Sequence, residues 1–186
     1  MPKKSAAVTT FFIVILSATL AFGADAGRQP NGFKFNNGFL LEWEASTKAL
    51  ETGAPRESYG HVQARPVGCI GKFQCVVRTM PHPYSDGIFR FESDRFFDVT
   101  APVYPVWFDD ISAALIESLG PPDNQRSEVV KNLMGAKFDN VVLEWSFPDV
   151  RVEFHKLFGS VDNGALRMTY LPIVRTVKKE KLRAPF

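Results

Sequence analysis

Val141-Val142-Leu143-Glu144-Trp145-Ser146-Phe147-Pro148-Asp149-Val150-Arg151-Val152-Glu153-Phe154-His155 decides how this chain is read. Val141, Leu143, Trp145 and Phe147 alternate with Val142, Glu144 and Ser146; after Pro148-Asp149, Val150, Val152 and Phe154 alternate with Arg151, Glu153 and His155. Side chains along a strand point to opposite faces with a period of two. The pattern therefore predicts two antiparallel strands about a tight turn, with one face buried and one wet. Past Asp162-Asn163-Gly164, Leu166, Met168 and Tyr170 alternate with Arg167 and Thr169 and predict a third strand.

Toward the N-terminus, Phe108, Ile111, Leu115 and Leu119 form an apolar helical stripe. Pro105 suits a first helical position, Asp109 and Asp110 sit where the helix dipole favours negative charge, and Gly120-Pro121-Pro122 stops the helix. Asp123 to Phe138 fits either a short helix through Val129, Val130, Leu133 and Met134 or an irregular strand. Before the helix, Phe73–Thr79, Gly87–Glu92 and Arg95–Thr100 read as three more strands, with Ser93-Asp94 as a tight turn. In the last of these, Phe97 and Val99 are expected on one face and Phe96 and Asp98 on the other, while Asp94, Arg95 and Asp98 form the turn and its flank. An earlier helix is expected after Asn36 and Asn37, carrying Phe39, Trp43, Thr47 and Leu50 and ending at Gly53 and Pro55. The fold class is thus α+β: an antiparallel sheet of two three-stranded meanders covered by two helices, with the repeated αβββ order pointing to an internal duplication.

The 186 residues are 45% hydrophobic and 23% charged, which excludes disordered and collagen-like classes. At the N-terminus, Lys3 and Lys4 precede the apolar run Phe11–Leu16 and the small residues between Ala21 and Ala26, the layout of a secretory signal. Residues 1–23 are read as a cleaved leader, with cleavage as late as Ala26; the competing reading is an uncleaved anchor, since Ala6 to Gly23 carries no charge. A linker over 24–35, one domain over 36–173 and a basic C-terminal tail over 174–186 follow. Localisation is then periplasmic or secreted, and the mature chain is not an integral membrane protein. Of 22 basic residues, Lys3 and Lys4 leave with the leader, so the rest balances 20 acidic ones. With the remaining excess of basic residues in the tail, no basic face for nucleic acid is expected.

Cys69 and Cys75 are an even number in a chain addressed to an oxidising compartment, and a disulfide is expected. Their spacing fits neither a zinc knuckle nor a thiol oxidoreductase.

The order of elements resembles that of BamE-like lipoproteins and of the tandem-repeat β-lactamase inhibitory proteins. A second resemblance rests on Leu119-Gly120-Pro121, Val130 to Ala136 and Leu143-Glu144-Trp145, which look like a pattern in uncharacterised exported bacterial proteins. Both resemblances imply fold and export, and neither carries a functional motif.

Little in the sequence points to catalysis. His61, His82 and His155 fall in different elements, and no nucleophile elbow, zinc-protease helix or phosphate-binding loop occurs. His82, between Pro81 and Pro83, and His155, on the wet side of a strand, are weak candidates for a site. No catalytic residue, metal site or cofactor is expected. The suggestive feature is a proline-bounded aromatic stretch: Phe96, Tyr104, Trp107 and Phe108 could form a stiff apolar platform of the residue types enriched in binding hot spots. The expectation is a non-catalytic module binding an envelope protein or peptide; the alternatives are a hydrolase with a dispersed site or a small-ligand or glycan carrier.

Overall fold

The computed structural model describes residues 29–35, 38–54, 68–78 and 86–183; the leader, Asn36, Asn37, His61 and His82 lie outside them. It is a mixed α+β fold whose main sheet has eight antiparallel strands. Strands β1 (Gly32–Lys34) and β2 (Leu40–Glu42) form a small antiparallel sheet, followed by helix α1 (Thr47–Gly53). Residues 29–35, expected as the end of a linker, are built into the fold: Gln29 accepts a hydrogen bond from the Asp149 amide, and the Trp43 indole donates to the Pro30 carbonyl.

The first helix starts later than the sequence suggested. Leu41 is buried between exposed Leu40 and Glu42, which is the period of a strand, so the helical spacing of Phe39 and Trp43 was coincidental. Ser46 is the N-cap, its hydroxyl accepting from the Ala49 amide at 3.3 Å. Asp94 adds a second anchor from the neighbouring hairpin, accepting from the Thr47 amide at 3.0 Å and the Thr47 hydroxyl at 2.8 Å.

The main sheet comprises β3 (Gly68–Ile70), β4 (Gln74–Arg78), β5 (Asp86–Glu92), β6 (Arg95–Val103), β7 (Asn124–Lys131), β8 (Lys137–Ser146), β9 (Val150–His155) and β10 (Gly164–Tyr170). Their order is β3-β4-β5-β6-β10-β9-β8-β7. The expected three-plus-three strand count is therefore corrected by β3, which precedes the stretch from Phe73 read as the first strand, and by β7, which resolves Asp123 to Phe138 as strand and turn. Cys69 and Cys75 stand opposite each other on β3 and β4 and form the expected disulfide, holding the short edge strand to its neighbour.

Strand β6 corrects a second expectation. Phe96 pairs with Phe91, but Asp98 pairs with Arg90, so Phe97 is an extra residue with no partner opposite. Such a bulge reverses the alternation beyond it. Phe96 and Val99 therefore both enter the core, while Asp98 turns to the other face. At the β5–β6 turn, Ser93 and Asp94 have φ of 51° and 62°, the left-handed pair that suits a two-residue hairpin.

Pro105 opens a 3-10 turn, Pro105–Trp107, and helix α2 (Phe108–Leu119) begins after it. Gly120 ends α2 with φ 83° and ψ −179°, a region open essentially to glycine alone, and its carbonyl accepts from the Trp145 indole at 2.8 Å. The segment read as a basic tail is largely helix α3 (Leu171–Arg183), docked at its start where the Leu171 amide donates to the Asp149 carbonyl.

The core lies on one face of the sheet. Phe33 and Phe35 of the small-sheet segment pack on Phe89 with ring centres 5.3 and 5.4 Å away, and Phe108 of α2 stacks on Phe154 at 4.8 Å. Leu50, Leu115, Leu119, Trp145, Val152 and Met168 belong to the same cluster.

Candidate functional site

Opposite the core, the sheet carries a polar network centred on Asp98, which is 1% exposed. Arg90 of β5 bonds Asp98 Oδ1; Arg167 Nε and the Thr169 hydroxyl of β10 donate to Oδ2 at 3.0 and 2.8 Å. Arg90 also reaches the Thr100 hydroxyl at 3.3 Å. Both carboxylate oxygens are engaged by cations and hydroxyls, and both guanidiniums reach water. The arrangement suits holding strands in register better than moving a proton. Further along this face Arg167 stands opposite Glu153 and Glu153 opposite Glu144, and Arg126 pairs with Glu144 and, at 2.6 Å, with Glu128. The Arg126 contact holds the Glu128 carboxyl below its ordinary range.

His155, expected to face solvent, is half-buried, with its ring edge-on to Phe158 at 5.1 Å. Burial pushes its pKa below the ordinary 6.5; Glu153 and Glu128 oppose this, while Arg126 and Arg167 add to it. Among the described residues, no three His, Cys, Asp or Glu side chains come together as a metal set. At the other end of β10, burial raises the Tyr170 phenol, and Glu44 and Asp149 raise it further.

The aromatic candidates separate into two groups. Phe96 is fully buried, with its ring stacked on Trp43 at 4.9 Å, and Phe108 is buried against Phe154. Both are core residues with little surface to present. Tyr104 and Trp107 remain together at the surface, their rings edge-to-face at 5.3 Å. Trp107 is 40% exposed, and Val106 between them on the 3-10 turn is 80% exposed. Sequence reasoning missed two features: the burial of Asp98, which depends on the bulge, and the β7–β8 hairpin tip, whose Asn132 and Gly135 were available as turn signals.

Comparison with protein-family models, with curated proteins and with solved structures finds no match to this chain. The geometry defines a class: an α+β protein on an eight-stranded antiparallel sheet, disulfide-bonded at one edge. Among the described residues, no helix is long and apolar enough to cross a membrane.

Asp98→Ala leaves two guanidiniums without their shared carboxylate. The expected loss in urea unfolding is about 2–3 kcal/mol, below that of a fully buried pair because both arginines reach water. For His155, the unfolded chain takes up a proton before the folded one as pH falls below 6.5. Its contribution is thus whole above that value and is lost as pH drops toward the lowered folded value. His155→Gln is expected to flatten the decline in urea midpoint between neutral and mildly acidic pH; an unchanged slope would contradict this assignment.

Proposed function

We propose that the protein is an exported, non-catalytic binding module of the cell envelope that docks a protein or peptide on the Tyr104–Trp107 turn. The carrying observation is the contrast within that turn. Val106 and Trp107 are exposed, whereas Val103 before them and Phe108 after them are anchored in the core. An aromatic patch held by core residues on both sides loses little conformational freedom on binding. Export is supported by Lys3, Lys4 and the apolar run Phe11–Leu16, and by a disulfide suited to an oxidising compartment. We further read the sheet as two related units covered by helices, since β3 to β6 and β7 to β10 each run as consecutive neighbours and each set follows a helix.

Photo-cross-linking in intact cells tests the binding surface. A benzophenone side chain at Val106 is expected to give a discrete adduct that Trp107→Ala abolishes, with the unfolding free energy changed by no more than about 1 kcal/mol. Absence of any adduct, or collapse of the fold on replacing Trp107, would assign the turn to packing instead.

A further inference from the structure

The hairpin of β7 and β8 runs past its neighbours. β8 pairs with β9 only over Val142–Ser146, whereas β7 and β8 continue pairing out to Lys131 opposite Lys137. Residues 156 and 157 brace the base, through the Lys156 amide on the Val141 carbonyl and the Leu157 amide on buried Asn140. Beyond that base, the pairs Val129–Asp139, Val130–Phe138 and Lys131–Lys137 form a two-stranded finger about 10 Å long.

Its tip is built rather than loose. Asn132 Oδ1 accepts from the Met134 and Ala136 amides at 3.0 and 2.9 Å, the Asn132 amide donates to the Ala136 carbonyl at 3.0 Å, and Gly135 takes φ 83°. This ordered turn holds Leu133, 108% exposed, and Met134, 86% exposed, at the end of the hairpin. Phe138 is also exposed just behind them.

Charge along the finger is layered. Lys131 and Lys137 stand directly opposite each other behind the apolar tip, with Asp139 two residues behind Lys137 on the same face. The carboxylates of Glu128 and Asp139 lie farther back toward the sheet. An anionic bilayer matches the layers in order: apolar tip below the headgroups, ammonium groups at the phosphates, carboxylates in water.

We propose that the β7–β8 hairpin is a membrane-contacting finger that inserts Leu133 and Met134 into the surface of a bilayer rich in anionic lipid, with Lys131 and Lys137 on the lipid phosphates. The site is separate from the Tyr104–Trp107 turn and does not depend on it.

A Leu133→Trp reporter in the otherwise native protein tests this directly, read as a difference from the parent, whose tryptophans are Trp43, Trp107 and Trp145. Vesicles of equimolar phosphatidylglycerol and phosphatidylcholine are expected to shift its emission to the blue and expose it to quenching by brominated lipid, while pure phosphatidylcholine leaves it water-like. Adding Met134→Asp should remove the shift, and Lys131→Glu with Lys137→Glu should weaken the partition at least about tenfold. A reporter that stays water-like with anionic vesicles would overturn the proposal, even if another part of the chain binds them. So would a blue shift that needs only higher protein concentration, which would place a second copy on the tip, or a partition unchanged by the charge reversal.

Discussion

The antiparallel pairing of β6 with β10 turns two runs of neighbouring strands into one sheet. Every other pairing in the main sheet joins strands adjacent in the chain, so this seam alone closes a long loop, with Asp98 opposite Thr169 at one end and Val103 opposite Gly164 at the other. Closing such a loop costs chain entropy before any contact forms. Asp98 sits where that cost is met, taking bonds from Arg90 on one side and from Arg167 and Thr169 on the other. A slip of one residue would exchange the faces and bury these charges against Val99 and Met168, so the network makes the register specific as well as stable.

The N-terminal segment is fastened to the same seam. Trp43 lies between Phe96 of β6 and Tyr170 of β10, stacked on both at 4.9 and 5.6 Å. The Glu44 amide donates to the Phe96 carbonyl and the Phe96 amide to the Ala45 carbonyl, so the backbone follows where the rings lead. The bulge at Phe97 makes both contacts compatible, because it lets Phe96 face the core while Asp98 faces away. At the same end of β10, directly after Tyr170, α3 starts against the β8–β9 turn, where Arg175 reaches the Pro148 carbonyl and Asp149. One seam thus gathers the first and last segments of the described fold.

Much of this was legible where local pattern and local structure coincide. The alternation from Val141 to His155, the Gly120-Pro121-Pro122 stop and the Ser93-Asp94 turn each express a rule acting over a few residues. What escaped depends on distant partners. Leu40–Glu42 is too short to show a period, and its strand exists because Gly32–Lys34 lies beside it. Strand β7 is an edge strand exposed along most of its length, so it lacks an alternating pattern. The bulge at Phe97 is visible only once Arg90 and Phe91 are known to lie opposite. Helix α3 could have been inferred from Pro172 in its first turn, a signal outweighed by the run of lysines. Among the candidate aromatics, Phe96 and Phe108 read like Tyr104 and Trp107 in sequence; only packing separates core from surface.

Among the apolar side chains left at the surface of the described residues are those of a braced aromatic turn at Val106 and Trp107 and of a projecting tip at Leu133 and Met134. Both hang on the integrity of one sheet. Native-state hydrogen exchange measures that integrity most directly. If the seam makes the eight strands one cooperative unit, the amides of β6 and β10 exchange only through global unfolding, at the full unfolding free energy. Exchange of those amides at lower cost than amides within β8 and β9, with the two strand sets opening separately, would contradict it.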